Sequence, residues 1–174
     1  MNKPATLVCT LTFFLLSLVL STGCDTETSP NDPASLYTKH ATFNYDLASK
    51  DTNSQLLAMA DEQLKKGNYQ QVVTHLENYL AEHPNAPYAS LALAVAQVHM
   101  DQDRRAKTYL KTLEGTGTEY EDAAFWETAM IYLKQEFPQA SIFNLQQISP
   151  EFPRYKEAQD LITTLKWMLD EKEK

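Results

Sequence analysis

The chain repeats a unit of two short apolar helices about every 34 residues, and this period constrains its fold more than any other feature. Residues 56–84 contain the unit once, with apolar residues at helical spacing on both sides of an interruption at Gly67. The small residue Ala60 recurs as Ala94 and then as Ala129, at offsets of 34 and 35 residues. One hairpin cannot bury its own apolar face, so the sequence predicts a stack of hairpins.

The second helices repeat with the same spacing. Their inward leucines are Leu76, Leu110 and Leu145. A helix–turn–helix unit of this period resembles the tetratricopeptide repeat family, and three copies occupy residues 53–153. The resemblance implies an all-α fold, a right-handed α-solenoid of three hairpins closed by a C-terminal capping helix.

The chain departs from the family pattern at two kinds of position. Gln63 and Gln97 stand where the family usually has an aromatic residue. Asp101 and Glu136 stand where the family has the turn glycine that Gly67 supplies in the first copy. The period therefore supports the resemblance more strongly than any single residue does.

Residues 154–174 are interpreted as the capping helix, because they carry apolar residues on one face and polar residues on the other. The polar face includes Lys156, Asp160 and Thr163. Trp167 falls on the same face, where burial does not explain it. Since tryptophan is enriched at binding hot spots, Trp167 is a candidate surface contact with another chain.

The first 23 residues are predicted to lie outside the fold. Lys3 precedes an uncharged run over residues 5–20, and three small residues stand directly before Cys24. This arrangement resembles a bacterial lipoprotein signal peptide, in which that cysteine is lipidated and becomes the N-terminus. A plain secretory signal and an uncleaved membrane anchor are the alternatives. The resemblance implies a lipid-anchored protein of the bacterial cell envelope, facing the periplasm or the cell surface, with the inner or outer membrane undecided.

A polar segment and an aromatic segment connect the anchor to the repeats. Residues 24–34 hold Cys24 and a flexible tether with two prolines. Asp32 and Pro33 have the character of a helix N-cap and a first helical residue. Residues 35–52 contain the apolar cluster nearest to the repeats, and we expect this segment to cover part of their surface.

Composition and motifs argue against several classes of function. A formal charge of −8 without a basic stripe argues against nucleic acid as a partner. The four histidines lack metal-ligand spacing, and no nucleophile motif or phosphate-binding loop occurs. We therefore predict no catalytic residue, no metal, no cofactor and no small-molecule substrate.

The remaining class is protein binding. In tetratricopeptide proteins the first helices line a concave groove, so the resemblance implies a candidate groove in this chain. Its residues would be Leu57, Tyr88, Leu91, Val95, Val98, His99, Trp126, Met130 and Leu133. This apolar set predicts a protein partner that offers an apolar helix or extended segment. The alternative is that these side chains only pack the repeats and terminal segments together.

We therefore predict a non-catalytic adaptor or scaffold in the cell envelope. A structural or assembly subunit of an outer-membrane or envelope complex is the main alternative. An accessory to an envelope kinase or protease is a weaker one.

Overall fold

Helices account for all the regular structure in the part of the chain that the computed structural model describes, residues 32–40 and 54–172. In chain order they are α1 (Pro33–His40), α2 (Gln55–Lys65), α3 (Tyr69–Glu82), α4 (Pro87–His99), α5 (Asp103–Lys111), α6 (Glu119–Lys134), α7 (Pro138–Leu145) and α8 (Tyr155–Lys172). The predicted all-α class is confirmed.

Helices α2–α3, α4–α5 and α6–α7 form three hairpins, and each hairpin packs on the next. The recurring small residues lie where the paired helices meet, and all three are buried: Ala60, Ala94 and Ala129. The recurring leucines are buried as well: Leu76, Leu110 and Leu145. Helix α4 packs against α2, α3, α5 and α6, so its residues 89–98 are buried on every side. The apolar repeat thus supplies the contacts between hairpins.

The three hairpin turns share one backbone conformation. Gly67 has a φ of 73°, Asp101 a φ of 58° and Glu136 a φ of 59°. These values lie in the left-handed region, which glycine enters without strain and other residues enter at a cost. The stack therefore keeps the glycine-type turn even where the sequence has lost the glycine.

Helix α8 closes the stack with one face. Leu161 and Leu165 are buried in the cluster that contains the core of α6 and α7. Met168 is buried there too, although the periodic pattern did not identify it. Trp167 lies on the opposite face with 54% of its surface exposed. Helix α8 thus has an inward apolar face and an outward polar face.

Helix α1 lies outside the three hairpins and packs on α6. It begins as the sequence predicts, because the backbone N–H of Ser35 donates a hydrogen bond to Asp32 Oδ1 at 2.9 Å. Its first residue, Pro33, falls within the range assigned to the tether. The remaining residues of the predicted aromatic segment, 41–52, lie outside the described part of the chain, as do residues 1–31 with Cys24.

Candidate interaction groove

Six of the predicted groove residues lie in the protein core. All of them are at most 5% exposed: Leu91, Val95 and Val98 on α4, and Trp126, Met130 and Leu133 on α6. They do not form the open apolar surface that the sequence suggested. Leu36 of α1 is itself only 4% exposed and belongs to the same buried cluster as Leu91, Trp126 and Met130. The groove is therefore occupied over α6 by a helix from the same chain.

The other three predicted residues have different environments. Leu57 is buried inside the first hairpin cluster. Tyr88 is half-buried, and its hydroxyl lies 2.5 Å from the hydroxyl of Tyr79. His99 is exposed rather than part of the core, and its ring stacks on Tyr69 with 4.3 Å between centroids. Although the residue is exposed, its neighbours remove part of the water around the ring; this desolvation lowers the pKa of His99, and the nearby charge of Lys134 lowers it further.

A polar cluster borders one side of α1. Lys134 Nζ lies 2.6 Å from Asp101 Oδ1 and 3.1 Å from Asp103 Oδ1, and it also donates to the carbonyl of Val98 at 3.3 Å. Burial lowers the pKa of Lys134, but its hydrogen bonds to the two carboxylates outweigh burial and leave the pKa raised. Burial raises the pKa of the Tyr37 phenol on α1, and the nearby positive charge of Lys134 partly opposes this rise.

Arg154 and Glu157 hold the C-terminal end of α1. Arg154 Nη2 donates to the backbone carbonyl of His40 at 2.9 Å, which satisfies a helix-end carbonyl that has no partner inside α1. Glu157 Oε1 lies 2.6 Å from His40 Nδ1. The guanidinium of Arg154 also stacks 3.8 Å above the ring of Trp126. Hydrogen bonds from Arg154 are the main cause that lowers the pKa of Glu157 to about 2.

Sequence reasoning did not identify Arg154 or Glu157 as residues that hold α1. Arg154 and His40 are 114 residues apart, and no periodic pattern relates them. The only signal was indirect, because the apolar groove had no predicted cover other than the N-terminal segment. Together these contacts make a surface that can bind a short helix through one buried leucine and hydrogen bonds at its end.

Other candidate features are placed as follows. Cys24 lies outside the described residues, and Trp167 is on the outer face of α8, away from the groove. Within residues 32–40 and 54–172, no group of three or more histidine, cysteine, aspartate or glutamate residues could hold a metal ion. No helix in that same part of the chain has both the length and the apolar character needed to cross a membrane.

Part of the chain matches a known family. Residues 63–127 match a model of the tetratricopeptide repeat family. The matched range extends from the end of α2 into α6, so it includes the whole α4–α5 hairpin and the turn at Gly67. Comparison with curated proteins and with solved structures gave no significant match.

Proposed function

We propose, from the premise that this chain carries tetratricopeptide repeats, that it is a lipid-anchored, non-catalytic adaptor of the bacterial cell envelope. Tetratricopeptide repeats are protein-interaction modules, and the chain is expected to bind a protein partner. The finer proposal is that the partner presents a helix to the surface over α6 that α1 covers. The observation that carries this proposal is α1 itself, a helix from outside the hairpins bound at that surface.

The contacts of α1 specify what a competing helix needs. An apolar side chain must fill the place of Leu36, since α6 is otherwise left with exposed apolar area. A free helix-end carbonyl must accept the hydrogen bond that Arg154 Nη2 gives to His40, because without it Arg154 keeps its bonds to Glu157 but loses the contact that recognises a helix end. A polar group beside that carbonyl must donate a hydrogen bond to the Glu157 carboxylate, which is ionised at neutral pH.

Competition with α1 also sets the apparent affinity. A partner binds only the fraction of molecules from which α1 has left, so the apparent dissociation constant rises in proportion. If α1 is docked in about 99% of molecules, the apparent affinity falls about 100-fold. Substitutions that release α1 should therefore strengthen partner binding.

Leu36→Asp in the full chain tests the groove proposal, with Thr38→Asp as the matched control because Thr38 is exposed on the same helix. Leu36→Asp places a charge in an apolar cluster, so α1 should undock. Faster tryptic cleavage after Lys39 would report the undocking. Chemical cross-linking in native membranes should then capture more partner from Leu36→Asp than from Thr38→Asp. Undocking without any gain in capture would contradict the proposal.

The anchor has a separate test at Cys24. The whole chain has 15 basic and 23 acidic residues, so the electrostatic attraction of an anionic membrane surface does not hold it there. Acyl chains on Cys24 would have to supply the attachment. Cys24→Ala should move the protein out of the membrane fraction. Complete retention after a high-salt wash would show that lipidation is not the anchor.

A further inference from the structure

Helix α8 has the register of a first helix in a fourth hairpin. It packs on α7, but no helix of the described part follows it as the second helix of that hairpin. The position of Trp167 is 35 residues after Tyr132, which is 35 residues after Gln97. Within the hairpins this position is covered: Gln97 is fully buried and Tyr132 is half-buried. Trp167 is 54% exposed. The outer face of α8 is therefore a helix-packing face that no described residue covers.

Helix α2 shows how charges on an exposed helix of this protein pair with each other. Asp61 and Lys65 form an ion pair at 2.5 Å, and Glu62 and Lys66 form another at 2.5 Å. In both pairs the acid precedes the lysine by four residues, which is the favourable order along a helix. These charges are satisfied within their own helix.

Helix α8 has the reverse order. Lys156 precedes Asp160 and Lys166 precedes Asp170, so each lysine is four residues before the acid, which is the less favourable order. All four side chains are exposed. None of them forms an ion pair with a residue of the described part, in contrast to the charges of α2. Four charges on one helix are thus available to another chain.

The four charges are arranged symmetrically about Thr163. Lys156 and Asp170 stand seven residues on either side of it, and Asp160 and Lys166 stand three residues on either side. We propose that α8 packs antiparallel against the α8 of a second copy, with the twofold axis at Thr163. The twofold rotation places Lys156 opposite Asp170 of the second copy. By the same rotation, Asp170 of the first copy lies opposite Lys156 of the second.

The side-chain directions on α8 suit this packing. At 3.6 residues per turn, Lys156, Asp160, Thr163, Trp167 and Asp170 lie within about 80° of the helix circumference. Thr163 is small enough to allow close approach at the centre. Trp167 then packs on the backbone of the second helix and loses its exposed apolar surface, while the long side chain of Lys166 extends from the edge toward Asp160 of the second copy.

A second copy fits this face better than a foreign helix does. Two antiparallel copies satisfy both lysines and both aspartates without any further requirement, whereas a parallel copy would bring like charges together. One pair of helices buries less than the roughly 800 Å² per partner of a standard interface. The dimer is therefore weak and depends on protein concentration. Lys156 and Asp160 also line the cavity beside the end of α1, together with His40 and Arg154. The dimer does not use Leu36, Arg154 or Cys24 themselves, so its cross-linking test can fail while the groove and anchor proposals stand.

Disulfide cross-linking in the full chain tests the arrangement. Thr163→Cys places the two new sulfurs near the axis, so oxidation should give a covalent dimer on a non-reducing gel. Lys111→Cys, exposed on α5, is the matched control. Lys156→Cys should not cross-link, because its two copies would be about 20 Å apart along the antiparallel helices. The unsubstituted chain sets the background from Cys9 and Cys24.

Charge reversal provides a rescue experiment in the Thr163→Cys chain. Lys156→Asp should reduce cross-linking roughly ten-fold, because two ion pairs become repulsive. Adding Asp170→Lys should restore it, since each pair is then reversed rather than lost. Trp167→Ala should reduce cross-linking without lowering the melting temperature.

Three results would overturn the proposal. In the first, Thr163→Cys forms no more dimer than Lys111→Cys does. In the second, Lys156→Cys alone cross-links as strongly as Thr163→Cys. In the third, the chain that carries both Lys156→Asp and Asp170→Lys keeps its melting temperature but does not regain cross-linking. If the cysteine at position 163 forms a disulfide only with a different protein and no dimer appears, that result counts as the first of these three.

Discussion

The hairpin turn at Glu136 should become more stable when its residue is changed to glycine. Glu136 has a φ of 59°, and a left-handed conformation costs a non-glycine residue about 1–2 kcal/mol. Glycine removes that cost but makes the unfolded chain more flexible, which offsets about 0.4–1 kcal/mol. Its side chain is exposed, and its backbone N–H still donates to the carbonyl of Leu133 at 3.0 Å. The net gain for Glu136→Gly is therefore about 0–1.6 kcal/mol, centred at about 0.8 kcal/mol.

Thermal and urea melts followed by circular dichroism measure this gain. For a chain of this size, 1 kcal/mol corresponds to a shift of about 2–4 °C in melting temperature. Asp101→Gly is the matched contrast, because it relieves the same strain but loses the 2.6 Å contact with Lys134. Its stability should change less than that of Glu136→Gly. Gly67→Ala should be destabilised by about 1 kcal/mol, through its φ of 73° and not through a clash, since a Cβ there has 4.0 Å to the hydroxyl of Tyr69.

The reasoning fails if Glu136→Gly lowers the melting temperature. That outcome would mean that glycine acts at this turn only by loosening the unfolded chain, and that the left-handed backbone at Glu136 carries no strain. Equal gains for Glu136→Gly and Asp101→Gly would show instead that the Asp101–Lys134 pair adds nothing to stability.

Three further predictions concern the core and the end of α1. Leu110→Ala should lower the free energy of unfolding by about 2–5 kcal/mol because Leu110 is buried between paired helices. Lys111→Ala should change it by less than about 0.5 kcal/mol. Urea melts that rank the two variants the other way would contradict the assignment of inward and outward residues on α5. Gln97→Met should stabilise the protein by about 1–3 kcal/mol, because neither polar atom of the buried Gln97 amide has a hydrogen-bond partner among the described residues. A lower melting temperature for Gln97→Met would show that the amide is satisfied. Glu157 has a folded pKa of about 2 against an ordinary value of 4.5, so its stabilising effect is complete above pH 4.5 and disappears as the pH falls toward 2. Over that range the melting temperature of the native protein should fall more steeply than that of Glu157→Gln. Parallel curves for the two proteins would refute this.

The occupied groove was only partly predictable from the sequence. Helical periodicity identified which face of α4 and α6 is apolar, and those residues are indeed directed inward. Periodicity does not distinguish a face that binds a partner from one covered by the next hairpin or by α1. Trp126 illustrates this: the pattern placed it in an open groove, yet Arg154 stacks on its ring and the side chain is fully buried.

The sequence by itself determined the hairpins, their period and the inward face of each helix, because these depend on residues three, four and 34 or 35 positions apart. It also determined the start of α1, where Asp32 and Pro33 act locally. Only the tertiary structure decided where α1 lies. That position depends on Arg154 and Glu157, which meet His40 across more than 110 residues of chain. The strained turn at Glu136 was decided in the same way, because the packing of the stacked hairpins holds a backbone conformation that glutamate disfavours.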